Sequence, residues 1–191
     1  VEGNGDVGVA LKDSALNLLE GNTIAEHRNC GLLIREGVKG APNSIEGNLI
    51  RGAFGPGIKL ESGYSEIAYN EITANGTGIE LLATASAKDH KIRENNIYDN
   101  GFGVRNRGQG VLDARENWWG DPSGPYHPQL NPTGKGDQVS DNVEFEPWRT
   151  ARVSPEDGYG ERMRSGLEDE PVRSPASCLP GADGVNLAQG G

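Results

Sequence analysis

A short phrase occurs five times along the chain: an aliphatic or small residue, two variable residues, an asparagine, one variable residue, then an aliphatic or aromatic residue. The copies run 19–24, 45–50, 67–72, 92–97 and 114–119, and their asparagines are Asn22, Asn48, Asn70, Asn95 and Asn117. Successive asparagines are 26, 22, 25 and 22 residues apart. A period in the twenties is the signature of stacked supersecondary units, and it constrains the fold more than any other property of the chain.

A second phrase keeps step with the first. It is a glycine followed by alternating apolar residues, at 8–11, 31–34, 57–60, 78–81 and 103–106. The distance from the end of the first phrase to the next glycine is 7, 7, 6 and 6 residues, so the two phrases are in register. Alternation of apolar residues is strand periodicity. The glycines and asparagines between the strands suit tight turns, where both tolerate positive φ. A unit of two or three such strands cannot bury its own apolar face. Stacking the units about 4.8 Å apart closes a continuous core and pairs the backbone of each coil with the next.

The expected fold is therefore all-β: a right-handed, single-stranded parallel β-helix of about five rungs. The rungs occupy 1–119, a C-terminal cap 120–148, and a linker or disordered tail 149–191. A left-handed β-helix needs a hexapeptide rhythm, and leucine-rich repeats need a denser leucine signature. A β-sandwich has strands every 8–12 residues without this longer register.

The residues that carry the repeat also carry a resemblance. Gly76-Thr-Gly-Ile-Glu-Leu81 followed by an Asn-x-Ile turn resembles the parallel β-helix repeats of the pectate-lyase-like superfamily. The stretch from Asn117-Trp-Trp-Gly-Asp-Pro to Val143-Glu-Phe-Glu-Pro-Trp148 is similar to the closing segment of β-helix proteins of microbial surfaces and secretions, including NosD and carbohydrate-binding β-helix modules. The resemblance covers 1–148. It implies an extracellular or cell-surface module, structural and carbohydrate-contacting.

Composition excludes some partners. A net charge of −10 opposes nucleic acid and anionic membranes. No apolar run is long enough to span a bilayer. Cys30 and Cys178 do not make a disulfide framework. Cys30, inside a repeat, reads as a small apolar filler.

Chemistry is sparse. The five asparagines read as a structural ladder, each amide bonding its copy one rung away. On each Gly-led strand the middle position points to solvent, which gives an outward column of Ala10, Leu33, Lys59, Glu80 and Arg105. Lys59, Glu80 and Arg105 alternate in sign. With Arg35 and Arg107 beside them they are the candidate carbohydrate-binding residues, set against a plain surface charge ladder. Trp118, Trp119, Tyr126 and Trp148 are expected to seal the open core at the cap.

No catalytic constellation is visible: the columns hold no grouped aspartates for hydrolysis and no carboxylates converging on calcium for a lyase. The NosD resemblance implies copper, yet the sequence offers neither a Met/His cluster nor a Cys/His pair, and His27, His90 and His127 share no register. No cofactor is expected. Asp137, Asp141 and Glu144 offer carboxylates for a structural calcium ion, although solvated loop carboxylates are the simpler reading.

Val1 aligns with the middle of a rung. The expectation is either a piece of a longer solenoid, with further rungs at the N-terminal end, or an open end that stacks on another subunit. Three functions follow: a non-catalytic surface module binding a polysaccharide or cell-surface glycan, a fragment of a polysaccharide lyase, hydrolase or epimerase with its catalytic rungs upstream, or a self-assembling filament subunit.

Overall fold

The computed structural model describes residues 1–154. The sequence expectation of a disordered tail falls mostly on 155–191, outside the described residues.

Three parallel sheets run along a solenoid. The first stacks Val7–Lys12, Cys30–Arg35, Pro56–Leu60, Thr77–Leu81 and Val104–Asn106. The second stacks Leu18–Glu20, Asn43–Glu46, Ser65–Ala68, His90–Arg93, Leu112–Asp113 and Val143–Glu144. The third has Thr23–Ala25, Leu49–Arg51, Glu71–Thr73 and Asn96–Tyr98. About four turns are therefore complete, one fewer than the repeat count suggests. In the fifth turn the third sheet shrinks to a single bridge between Asn96 and Trp118. Trp118 and Trp119 replace the strand, and Gly120–Asp121–Pro122 turns the chain away from the ladder.

The core follows the repeat. Ile24, Ile50, Ile72 and Ile97 pair in register along the third sheet and are fully buried. Ile45, Ile67 and Ile92 do so along the second, with the partly buried Leu19 at its first rung, and Leu32, Ile58, Ile79 and Val104 along the first. Each fully buried isoleucine contributes about 1.5–3 kcal/mol of transfer free energy. Identical residues one rung apart fill the same volume in every coil, so the interior is close-packed along its whole length.

After the excursion through 120–135, Gly136–Gln138 pairs with Pro125–Tyr126. Val139 then bridges Val104, and Val143–Glu144 joins Leu112–Asp113. The closing segment thus adds a partial sixth coil before it seals the end. Residues 149–154, which the sequence pattern assigns to the tail, are bonded to the solenoid: Arg149 N–H donates to Asn117 O at 3.0 Å, and Val153 pairs with Asn96. Among the described residues the only helix is a 3-10 turn at Ala87–Asp89, and none is long and apolar enough to cross a membrane.

Candidate functional site

The outward column of the first sheet is in register: Ala10 with Leu33, Leu33 with Lys59, Lys59 with Glu80, and Glu80 with Arg105. The ion pairs, however, do not run in single file. Lys59 Nζ lies 3.1 Å from Glu61, and Arg35 reaches the same carboxylate at 3.8 Å. Glu80 is bracketed by Arg107 at 3.1 Å and Arg105 at 3.8 Å. Glu61 is absent from the candidates that the sequence suggests. Its signal is present there all the same, since it stands two positions after Lys59 and so shares its face. Arg35 also lies 3.8 Å from the exposed carboxylate of Glu36, so Arg35, Lys59, Arg105 and Arg107 surround three carboxylates, with the Arg105 guanidinium 4.3 Å from the Phe102 ring centroid. At this exposure each pair adds little stability.

The asparagine ladder runs from coil to coil between the second and third sheets, from Asn22 through Asn48, Asn70 and Asn95 to Asn117. Asn70 shows its geometry: its Oδ1 accepts Asn48 N–H and Nδ2–H, both at 2.9 Å. Its Nδ2 donates to Asn95 Oδ1, Ile45 O and Ala68 O at 2.8–2.9 Å. A second ladder, which the repeat phrase does not reveal, lies five residues downstream. Asn75 donates to Asn100 Oδ1, and Asn100 donates to Asp137 Oδ2, in each case from both backbone and side chain. Asn75 and Asn100 each stand five residues after a member of the first ladder, but His27 and Ala53 occupy the equivalent earlier positions and break the pattern. Burial pushes the Asp137 carboxyl up, against the pull of Asn100.

The cap aromatics do not form one group. Trp119 is fully buried and Trp148 packs on the core with Phe145, their rings 6.2 Å apart. Trp118 instead faces Tyr98 at 5.4 Å on the outer surface, and Tyr126 is 38% exposed. Phe145, which the sequence does not single out, contributes to the seal.

The histidines are separate and each is engaged. His27 Nδ1 accepts Asn4 N–H at 3.1 Å. His90 Nδ1 lies 2.8 Å from Ser65 Oγ inside the core. His127 Nδ1 accepts Gln129 and Leu130 N–H, and its Nε2 stands 3.3 Å from Asp141. The carboxylates considered for calcium also diverge. Asp137 ends the second ladder, Asp141 faces His127, and Glu144 lies 4.0 Å from Arg115 on the second sheet. Burial raises the Cys30 thiol to about 11, so it is a packed thiol and not a nucleophile.

With this architecture in place, comparison with protein families is decisive for ancestry. The family model described as periplasmic copper-binding protein (NosD) matches residues 1–128. The chain belongs to the NosD family. The match covers the complete turns and stops within the excursion at the cap, so the partial sixth coil and residues 149–154 lie beyond the matched NosD segment. No curated protein and no solved structure matches significantly. Among the described residues of this NosD-family chain, no three histidine, cysteine or acidic side chains are grouped so as to hold a metal ion.

Proposed function

We propose that this NosD-family chain is a non-catalytic module of the cell envelope that contacts an anionic polysaccharide through the outer face of the first sheet. The observation that carries the reading is the set of Arg35, Lys59, Arg105 and Arg107 on one rigid parallel sheet, around the three carboxylates of Glu36, Glu61 and Glu80, in a protein whose net charge is −10. A local cationic strip on an acidic protein attracts a polyanion to that strip and repels it elsewhere. The sheet fixes the spacing of the charges at about 4.8 Å per rung, so a linear polymer can meet several at once. Glu61 and Glu80 are each engaged by two cations and Glu36 by one, which is why the reading is non-catalytic. The family's periplasmic description supports the location.

Binding of polygalacturonate to the whole chain, measured calorimetrically at low salt, tests this. The Arg105→Ala, Arg107→Ala double variant is expected to lose it. Equal binding by that variant, or turnover of the polymer, would overturn the proposal.

Copper is the ligand in the family description. Copper sites need convergent imidazole or thiolate donors. In this chain the three histidines lie apart with Nδ1 engaged, and Cys30 is buried with its thiol pKa pushed up. The described residues do not fit the metal, and the proposed contact with polysaccharide does not involve it.

A further inference from the structure

The outer face of the last complete turn holds a built site that is already filled. In the strand Asn96–Tyr98, Ile97 is fully buried in the core, so Asn96 and Tyr98 project outward. The Asn96 amide exchanges two hydrogen bonds with the main chain of Val153: Nδ2 donates to Val153 O at 2.9 Å, and Val153 N–H donates to Oδ1 at 2.8 Å. A side-chain amide used this way imitates a strand edge and reads backbone alone. Around it, the Arg152 guanidinium lies 4.9 Å from the Tyr98 ring centroid and 5.9 Å from that of Trp118. It donates to Glu71 and, at 2.8 Å, to the Tyr98 hydroxyl. Arg149, three residues earlier, donates to Glu94, a carboxylate only 8% exposed.

The arrangement occurs once in the solenoid. The register partners of Asn96 are Glu71, Leu49 and Thr23, and those of Tyr98 are Thr73, Arg51 and Ala25. No earlier rung therefore offers an amide beside an aromatic. The partners in sequence are 55, 57 and 81 residues distant, and 149–154 add no strand to the sheet. These are the elements of extended-peptide recognition: paired main-chain bonds for affinity, and side-chain pockets for specificity. The pockets select arginine, because a planar guanidinium can stack on Tyr98 and Trp118 while bonding Glu71, and an ammonium cannot.

We propose that Glu71, Glu94, Asn96, Tyr98 and Trp118 form a binding site for an extended peptide of the pattern Arg-x-x-Arg-Val, which the chain fills with its own residues 149–153 and which an arginine-bearing segment of another polypeptide can occupy in their place. The inference is independent of the polysaccharide reading, which concerns a different sheet.

The test uses the whole chain carrying R149A, R152A and V153P, which removes both guanidiniums and the Val153 N–H donor. The probe is a fluorescein-labelled hexapeptide with the sequence of residues 149–154, followed by fluorescence anisotropy. Saturable binding is expected, weakened about tenfold or more by adding N96A, which strands the buried backbone partner, or E71Q, which removes the charge that pairs with the guanidinium. A peptide with lysine at both arginine positions is expected to bind more weakly. Absence of saturable binding by the folded variant, or affinity indifferent to both E71Q and N96A, would overturn the proposal. If circular dichroism shows that the triple variant is unfolded, amide exchange of Val153 in the unsubstituted chain decides. Excess unlabelled peptide should accelerate that exchange by displacing the resident segment, and an unchanged rate defeats the idea.

Discussion

Ser65 Oγ and His90 Nδ1 are 2.8 Å apart inside the solenoid, one rung apart in register, and the other ring nitrogen of His90 has no hydrogen-bond partner among the described residues. The pair belongs to a buried polar column with Asn17 and Asn43, in which Asn17 donates to Asn43 Oδ1 from backbone and side chain. A neutral imidazole fits this position, whereas an imidazolium would have to be charged where water cannot reach it.

The first prediction follows from that burial. Desolvation lowers the His90 pKa from 6.5 to about 4. Below pH 6.5 the unfolded chain takes up this proton, and the folded chain does not until about pH 4. Stability therefore falls as pH falls through that window, by about 3 kcal/mol in total. Urea denaturation at pH 7 and pH 4.5 measures it. The unsubstituted chain should lose clearly more stability across that interval than His90→Gln, and equal losses would remove His90 as the cause.

A second prediction concerns the ladder. Asn70→Ala removes the hydrogen bonds that one side chain makes to Asn48, Ile45, Ala68 and Asn95, and it leaves the Asn48 N–H without its acceptor. Asn48 Nδ2 keeps Leu19 O and Glu46 O, and Ala68 O keeps Gly47 N–H. One buried orphan costs about 1–3 kcal/mol and each further bond lost about 0.5–1.5 kcal/mol, so the variant should lose several kcal/mol. Asn22 is exposed and donates to Asn48 Oδ1 and Glu20 O. Asn22→Ala should cost about 1 kcal/mol or less. Chemical denaturation of both variants at one pH gives the comparison, and similar losses would show that burial does not grade the ladder.

Backbone strain gives a third. The residue before each ladder position is left-handed: Tyr69, Ala74, Glu94 and Asp99 have φ of 58°, 54°, 54° and 55°. Alanine has no side-chain group to compensate, and Ala74 is exposed. Its strain of about 1–2 kcal/mol exceeds the roughly 0.4–1 kcal/mol that glycine loses through unfolded-state entropy. Ala74→Gly should raise the melting temperature slightly, and a fall would mean that the entropy term dominates.

These elements show where the sequence was legible and where it was not. The first ladder and the apolar columns could be read directly, because stacking demands the same residue type at each rung. The second ladder could not, since His27 and Ala53 interrupt it. The charged face was placed correctly in register, but its pairing was not, because Glu61 lies just past the strand and long side chains reach diagonally. The site around Asn96 left no periodic trace at all: its contacts join single residues more than 50 positions apart. The glycines between the strands include Gly21, Gly47 and Gly52, which are left-handed as turns require, whereas those of the second phrase have another role. Gly8, Gly31, Gly57, Gly78 and Gly103 are absent from the positive-φ residues. They serve close approach between rungs, not turning.

That close approach yields the last prediction. A Cβ built on Gly78 would stand 2.6 Å from the carbonyl oxygen of Gly103 in the next rung and 3.2 Å from a methyl carbon of Ile97. Both neighbours are held: Gly103 O accepts Ile79 N–H at 2.9 Å, and Ile97 is fully buried. Relief of the clash requires the rungs to separate locally, which breaks ladder bonds and opens the core. Overpacking of this kind costs about 1–3 kcal/mol or more. Gly5 meets nothing within 4 Å of its built Cβ and has no positive φ, so it is the control. Gly78→Ala should therefore lower stability markedly while Gly5→Ala leaves it within about 0.5 kcal/mol. Thermal melts of the two variants distinguish a glycine kept for rung contact from one that is free to change. Equal behaviour would show that close approach between rungs is not what requires glycine at this position.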